Sequence, residues 1–152
     1  MGTKHARRQV REAAVADLTG LATTGSNVFT SRVSPLSESE MPGMYVMLRD
    51  ERADIEGQAL GKVARTGNLV IEAWAQGGEG LEDTLDGIAA EVETAIYGAT
   101  PQLSGVLQNI GAPTTQVDLP ASDDNSRRTG IIRILFPVVY RTALSDPTTI
   151  SN

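Results

Sequence analysis

The stretch "LEDTLDGIAAEVETAIYG", residues 81–98, has the most regular hydrophobic pattern in the chain. Its apolar residues recur at intervals of three and four, which places them along one side of an α-helix. They are Leu81, Leu85, Ile88, Ala89, Val92 and Ile96. A helix with one apolar side needs a partner that buries that side. The segment therefore predicts a helix packed against the rest of a core, here a sheet.

Three carboxylates, Glu82, Asp83 and Asp86, lie at the start of this helix, directly after the glycines of residues 77–80. A metal or phosphate site would be one interpretation. The G-x-G-x-x-G spacing is absent, however, and the acids would repel a phosphate. No histidine lies nearby to complete a metal site. Acids in the first turn stabilise a helix by about 0.3–1 kcal/mol each. We therefore predict helix capping, with no metal and no cofactor bound there.

Five segments around the helix have the composition of strands, and one more has the pattern of a helix. The second helix is predicted over residues 4–21. The strands are predicted over 28–33, 44–49, 69–76, 114–119 and 131–142. The last strand places Ile132, Ile134, Phe136, Val138 and Tyr140 on one face, and Pro137 predicts an edge or a bulge within it.

The resulting order is α-β-β-β-α-β-β. It predicts a single α+β domain over residues 1–152, with a mainly antiparallel sheet of about four to five strands and two helices packed on one face. Residues 1–5 and 143–152 are predicted to be flexible tails, because they lack a core-forming pattern.

Two polar segments, 50–68 and 120–130, interrupt this order and are predicted to be extended loops or β-arms. A free loop of this length is unusual in a compact domain unless it binds something. Their charged residues are the candidate contacts between subunits, although a freely solvated hairpin tip would also account for the second segment. The candidates are Asp50, Glu51, Arg52, Asp54, Glu56, Lys62, Arg65, Asp123, Asp124, Arg127 and Arg128.

The composition of the 152 residues narrows the possible functions. The chain has no cysteine and a single histidine, His5, which removes thiolate sites, most zinc sites and Ser-His catalysis. "GQALGKV", residues 57–63, is one residue too short for a phosphate-binding loop. We find no catalytic residues and predict that the chain is not an enzyme. No apolar run is long enough for a bilayer and no signal peptide is visible, so we expect a soluble protein made in a cytoplasm.

The net charge is −6, and it is unevenly distributed. Residues 1–11 carry four basic residues and no acid, which leaves −10 on the remainder. An acidic body argues against a protein that binds nucleic acid tightly.

Four segments together resemble the tail-terminator proteins of long-tailed bacteriophages, the minor tail protein U group. They are "VFTSRVSPL" (28–36), "MPGMYVML" (41–48), "DTLDGIAAEVETAI" (83–96) and "FPVVYRT" (136–142). The resemblance extends over residues 6–144 and consists of apolar patterns together with Arg32, Asp83, Asp86, Tyr140 and Arg141.

This resemblance implies a structural virion protein that forms a homo-hexameric ring on the tail tube. The ring would stop tube growth and provide the docking surface for the head–tail connector protein. Its partners would be further copies of itself, the tail tube protein and the connector, with DNA passing only transiently through the lumen and no membrane involved. Its place would be the head-proximal end of the tail. The family has no catalytic residues to transfer, and the candidate contacts above would face neighbouring subunits or stacked rings.

Two other functions remain open. One is a head–tail connector or tail completion ring protein. The other, from a different class, is a small ligand-binding or regulatory α+β domain, which would need a concave pocket with convergent polar groups.

Overall fold

The computed structural model describes residues 4–56, 61–99, 101–120 and 127–152. Over these residues the fold is α+β, with two helices and a seven-stranded mixed sheet. The helices are α1 (Ala6–Leu18) and α2 (Leu81–Gly98). The strands are β1 (Val28–Thr30), β2 (Gly43–Ile55), β3 (Lys62–Gly77), β4 (Asn109–Ile110), β5 (Thr114–Asp118), β6 (Arg128–Ala143) and β7 (Asp146–Ile150). Short 3₁₀ turns cover Glu38–Glu40 and Gln102–Gly105.

The sheet is organised around β3 and β6, which pair antiparallel along their full length of 16 residues each. The other side of β3 pairs antiparallel with β2, and β2 pairs in parallel with the short β1. The other side of β6 is shared by three short strands, β5, β4 and β7, which follow one another along it. Most of the pairing is therefore antiparallel, as predicted, with one parallel pair.

Both helices pack on one face of this sheet and enclose one core. Helix α1 buries one residue in every four, and α2 buries the apolar side predicted from its sequence. The buried helix residues are Ala6, Val10, Ala14, Leu18, Leu81, Leu85, Ile88, Val92 and Ile96. The sheet contributes alternate residues of β3 and β6, because side chains of a strand alternate between its two faces. These are Leu69, Ile71, Ala73, Ala75, Ile132, Ile134, Phe136, Val138 and Tyr140.

The prediction of four to five strands is wrong, because the sheet of the described residues has seven. One missed strand, β7, lies in the segment 143–152 that was predicted to be a flexible tail. Its sequence, "DPTTI", has no apolar alternation. It is held by backbone pairing with β6 and by Gln9, whose Nε2 donates to the Thr148 carbonyl at 2.7 Å. Hydrophobic patterns do not report contacts of this kind.

Most of the described part of the segment 50–68 is strand, and residues 57–60 lie outside the described residues. Residues 50–55 continue β2, and residues 62–68 continue β3, where they pair with β6 as well. A bulge at Asp50, which has a φ of 56°, interrupts the register of β2 against β3. Of the two predictions for this segment, the β-arm is therefore closer to the structure than the extended loop. Most of the described residues of the arm belong to β2 and β3 within the sheet.

The end of the segment 120–130 is also strand, since Arg128–Gly130 belong to β6, while residues 121–126 lie outside the described part. Pro137 is not on an edge strand. The Gly111 N–H donates to the Pro137 carbonyl at 2.7 Å, so this side of the proline faces the gap between β4 and β5. Proline has no backbone N–H, and at position 137 that N–H would have pointed into the same gap.

Two neighbouring residues of α2 provide a test of this core. Ile88 is fully buried, so Ile88→Ala should destabilise the fold by about 2–5 kcal/mol. Gly87 is exposed, and a Cβ added there meets nothing within 4 Å. Gly87→Ala should therefore stabilise the fold by about 0.5–1 kcal/mol. Urea unfolding followed by circular dichroism measures both effects, and an unchanged midpoint for Ile88→Ala would refute the packing described here.

Candidate functional site

The structure separates the predicted contact residues into buried and exposed groups. Asp123 and Asp124 lie outside the described residues. Arg127 is exposed, with its Nη1 3.8 Å from Glu38 Oε1. Arg128 begins β6 and pairs in register with Gly77 of β3. The other seven candidates lie on β2, on β3 or at the turn between them.

Two of the seven, Glu51 and Arg65, are internal. The Glu51 carboxylate accepts hydrogen bonds from Arg7 Nη1 at 2.6 Å, from Tyr140 Oη at 2.7 Å and from Arg65 Nη1 at 2.9 Å. The side chains of Glu51 and Arg65 are only 8% and 13% exposed. Arg65 also donates from Nε to Thr142 Oγ1 at 3.0 Å. We refer to Arg7, Glu51, Arg65 and Tyr140 as the Glu51 network.

The Glu51 network joins α1, β2, β3 and β6, so within this chain Glu51 and Arg65 stabilise the fold. Their assignment as contacts between subunits stays a prediction, and the structure shows that both side chains already have partners within the chain. A charge removed from water must be paired, and both find their partners inside the chain. The sequence could not distinguish this arrangement from a solvated surface, because the partners are distant in the chain.

The protonation of this network follows from its contacts. Burial by itself raises the pKa of the Glu51 carboxyl, but the hydrogen bonds from Tyr140, Arg65 and Arg7 together lower that pKa below its ordinary value. Burial and the neighbouring Glu51 carboxylate raise the pKa of the Tyr140 hydroxyl. Glu51 is therefore ionised and Tyr140 is protonated at neutral pH, as the hydrogen bond between them requires.

The remaining candidates are more accessible. Arg141 Nε and Nη2 donate to the Glu56 carboxylate at 2.6 and 2.7 Å, and Arg52 Nε lies 3.4 Å from Asp54 Oδ2. Asp50, Arg52 and Asp54 are exposed along β2, and Lys62 is half-buried at the start of β3. At this end of the sheet two apolar side chains are also exposed, Ile55 by 58% and Leu144 by 38%. These exposed groups remain candidates for contact with another molecule.

A basic groove lies beside β2, and the sequence did not single it out. It has a volume of about 350 Å³ and follows the edge of β2 at Met47 and Leu48. Four arginines line it, Arg7, Arg11, Arg32 and Arg49. We call it the arginine groove. The four-residue spacing of Arg7 and Arg11, which places them on one side of α1, is the signal that could have indicated it.

Two arginines of the groove are neutralised within the chain. Arg7 pairs with Glu51, and Arg32 pairs with Glu40 through both guanidinium nitrogens Nη1 and Nη2. The Arg32 guanidinium and the backbone and side chain of Ser37 lower the pKa of the Glu40 carboxyl to about 2.

The other two arginines have no carboxylate partner among the described residues. Arg11 donates to the hydroxyls of Thr30 and Ser31, and Arg49 donates only to the sulfur of Met47, at 3.2 Å. The groove therefore carries two guanidinium charges that an anionic group could neutralise.

The sheet face opposite the helices presents a row of aromatic and charged side chains. Tyr45 and Trp74 meet edge to face, with ring centroids 6.1 Å apart. Glu72 accepts from Trp74 Nε1 and from Arg133 Nε, both at 2.7 Å. Neither α1 nor α2 covers this face, because both pack on the other one. Partly exposed aromatic and arginine side chains of this kind are enriched at protein interfaces.

Glu82, Asp83 and Asp86 at the start of α2 all face solvent. The N-cap residue is Gly80 and no side chain makes a cap hydrogen bond, so Glu82 and Asp83 in the first turn can favour the helix only through its dipole. Within residues 4–56, 61–99, 101–120 and 127–152, no three His, Asp or Glu side chains are grouped so that they could hold a metal ion. In the same part of the chain, neither helix combines the length and the apolar composition needed to cross a membrane.

No protein-family model matches the chain, and a search of curated proteins found no match either.

The Glu51 network predicts a large difference between two carboxylates of β2. Glu51→Gln leaves two arginines without their buried anion, and we expect a loss of about 3–5 kcal/mol in the free energy of unfolding. Asp54→Asn removes the partner of an exposed arginine and should change that free energy by less than about 0.5 kcal/mol. Chemical denaturation of both variants measures the difference. Equal stability of the two variants would show that the network is not buried in solution.

The same network predicts a pH dependence of stability. Because the pKa of Glu51 is lower in the folded protein than in the unfolded chain, its contribution is fully present above the unfolded value of about 4.3. That contribution is lost as the pH falls through the lower pKa of the folded state. The difference in stability between wild type and Glu51→Gln should therefore be constant from pH 8 to pH 5 and shrink below about pH 4. A difference that stays constant down to pH 2 would contradict this origin.

Proposed function

We propose that the chain is a structural protein of a phage tail, a tail terminator that forms a hexameric ring on the tail tube. The ring ends tube growth and provides the docking surface for the head–tail connector. The proposal rests on the resemblance of four segments to that family, and it is supported by the surfaces that the fold leaves uncovered.

The observation that carries the proposal is the uncovered sheet face. Both helices lie on one side, so the other side presents Tyr45, Trp74 and Arg133 without a covering helix among the described residues. Tyr, Trp and Arg are the residue types that most often dominate the binding energy of protein interfaces. A ring subunit needs such surfaces, because it must bind its neighbours and the rings on either side of it.

The charge of the chain is compatible with a ring that DNA passes through. Residues 12–152 carry a net charge of −10, which would repel the DNA backbone along a channel. An attractive lumen would hold the DNA in place instead. At one end of the sheet Ile55 and Leu144 are exposed, by 58% and 38%, and would be available for contact with a stacked ring.

The related function of a head–tail connector or tail completion protein uses the same surfaces, and the position of the ring in the virion distinguishes it. From another class, a small ligand-binding domain is favoured by one observation, the arginine groove. Its volume of about 350 Å³ lies within the range of small-molecule pockets, and its unneutralised arginines would select an anion.

The test of the proposed function is the assembly of the purified chain alone and with tail tubes. We expect light scattering to give a mass six times the subunit mass of 16.1 kDa, and negative-stain images to show rings with an open centre. In the parent phage, disruption of the gene should give tails of uncontrolled length. A protein that stays monomeric at about 100 μM and does not bind tube ends would contradict the proposal, and saturable binding of a small anion by that monomer would favour the ligand-binding alternative.

Two aromatic substitutions test whether the uncovered sheet face is the surface used in assembly. Trp74→Ala removes a ring from the uncovered face and should prevent ring formation while the monomer stays folded. Tyr97→Ala removes a ring of similar size from the helix side, where Tyr97 packs against Phe136, and should lower stability without affecting assembly. Circular dichroism establishes folding in both cases. Normal rings from Trp74→Ala would show that the uncovered face is not an assembly surface.

A further inference from the structure

We propose that the free edge of β2, with the arginine groove beside it, binds the free edge of β5 from a second copy of the chain. The two sheets would then continue into one another from subunit to subunit. This inference deepens the proposed function by naming the surfaces that join neighbouring subunits, and it rests on that function only for the closure of the ring.

The edge of β2 becomes free where β1 ends. The Met44 N–H donates to the Asn27 carbonyl at 2.9 Å, and the Val46 carbonyl accepts from Thr30 Oγ1 at 2.9 Å, so the main-chain groups of both residues point towards β1. The chain then turns away at Ser31, which has a φ of 58°. By the two-residue period of a strand, the main-chain groups of Leu48 point to the same side. Among the described strands, none pairs with β2 on that side beyond Val46.

The edge of β5 is free at the opposite side of the sheet. β5 pairs with β6 over Thr114–Asp118, and within the described residues no strand pairs with its other side. All five of its residues are exposed. An unpaired strand edge is a template for another strand, and natural proteins usually protect such edges with lysine, proline or a covering segment. β5 contains neither lysine nor proline, so it lacks these protecting residues. This is consistent with an edge that pairs with a strand of another molecule.

The charges near the two edges are complementary. The arginine groove holds two guanidinium groups, Arg11 and Arg49, without carboxylate partners in the described part of the chain. Asp118 ends β5, and Thr114–Asp118 contains no lysine or arginine. A β5 strand added along Met47 and Leu48 would bring the Asp118 carboxylate to the side of the sheet where these arginines lie. Main-chain hydrogen bonds would supply affinity, and the charges would set the choice of partner.

The positions of the two edges decide the symmetry of the contact. β2 and β5 lie on opposite sides of the β3–β6 pair, so one copy uses its β2 edge and the next copy uses its β5 edge. A contact between unlike surfaces is head to tail and generates a closed ring or a filament, not an isolated pair. This is the kind of contact that a hexameric ring requires.

Charge reversal at the two edges tests the inference with the full-length chain. Sedimentation velocity at 50 and 500 mM NaCl would compare wild type, Arg49→Glu, Asp118→Lys and the double variant. Each single variant should weaken self-association by about tenfold, and the double variant should recover most of the loss because the pair of charges is exchanged. Higher salt should weaken the wild type and have a smaller effect on the single variants. Arg8→Glu is the matched control, since Arg8 is exposed on α1 outside the groove and should leave association unchanged.

The outcomes separate this inference from the proposed function. Rings that form normally in Arg49→Glu and Asp118→Lys would overturn the edge contact while leaving the ring in place. Salt-sensitive association that follows the charge exchange, but gives filaments in place of rings, would support the edge contact and contradict the terminator function. A wild type that stays monomeric throughout would overturn the inference. Within the described residues the only hydrogen bond of the Arg49 side chain is to the Met47 sulfur, so its reversal should not unfold the chain, and circular dichroism verifies this.

Discussion

The pairing of β3 with β6 is the constraint on which the rest of the structure depends. It extends over 16 residues and places two rows of apolar side chains on the same face. Both helices bury their apolar sides against those rows, since each helix would be marginal in water without them. Every other strand except β1 pairs directly with one of these two, and β1 pairs with β2. The β3–β6 pairing therefore also sets which strand edges are left for further pairing.

β3 and β6 extend beyond the apolar core. Their additional residues are stabilised by ion pairs and hydrogen bonds between charged and polar side chains. At the N-terminal end of α1, where Arg7 lies in the first turn, the Glu51 network replaces apolar contacts, with one carboxylate bonded to two guanidinium groups and one hydroxyl. Such a cluster is stable only when every member is paired, because an unpaired buried charge costs several kcal/mol. Polar residues can therefore extend the sheet beyond the helices without enlarging the core. The same arrangement leaves the far end of the sheet available for contacts with other molecules.

The proposed ring follows from what this arrangement leaves open. One sheet face has no helical cover, two strand edges on opposite sides are unpaired within the described residues, and the groove beside one edge is basic in an acidic chain. Unlike surfaces on opposite sides of a subunit are what a head-to-tail assembly requires. The proposal that the chain is a ring subunit rests on the predicted resemblance to tail terminators and is compatible with these surfaces. A ligand-binding domain would use the groove alone and would leave the sheet face unexplained.

The sequence by itself determined both helices, the buried side of α2 and the apolar strands, because hydrophobic periodicity is a local property that a single segment carries. It did not determine β7, the continuation of β2 and β3 through 50–68, or the roles of Glu51 and Arg65. Those depend on partners far away in the chain, such as Tyr140 for Glu51, and a polar segment looks the same whether its charges are solvated or paired internally. The arginine groove likewise exists only because α1 and the edge of β2 come together. Tertiary structure decides which charges face each other, since electrostatic pairing depends on distance in space and leaves no period in the sequence.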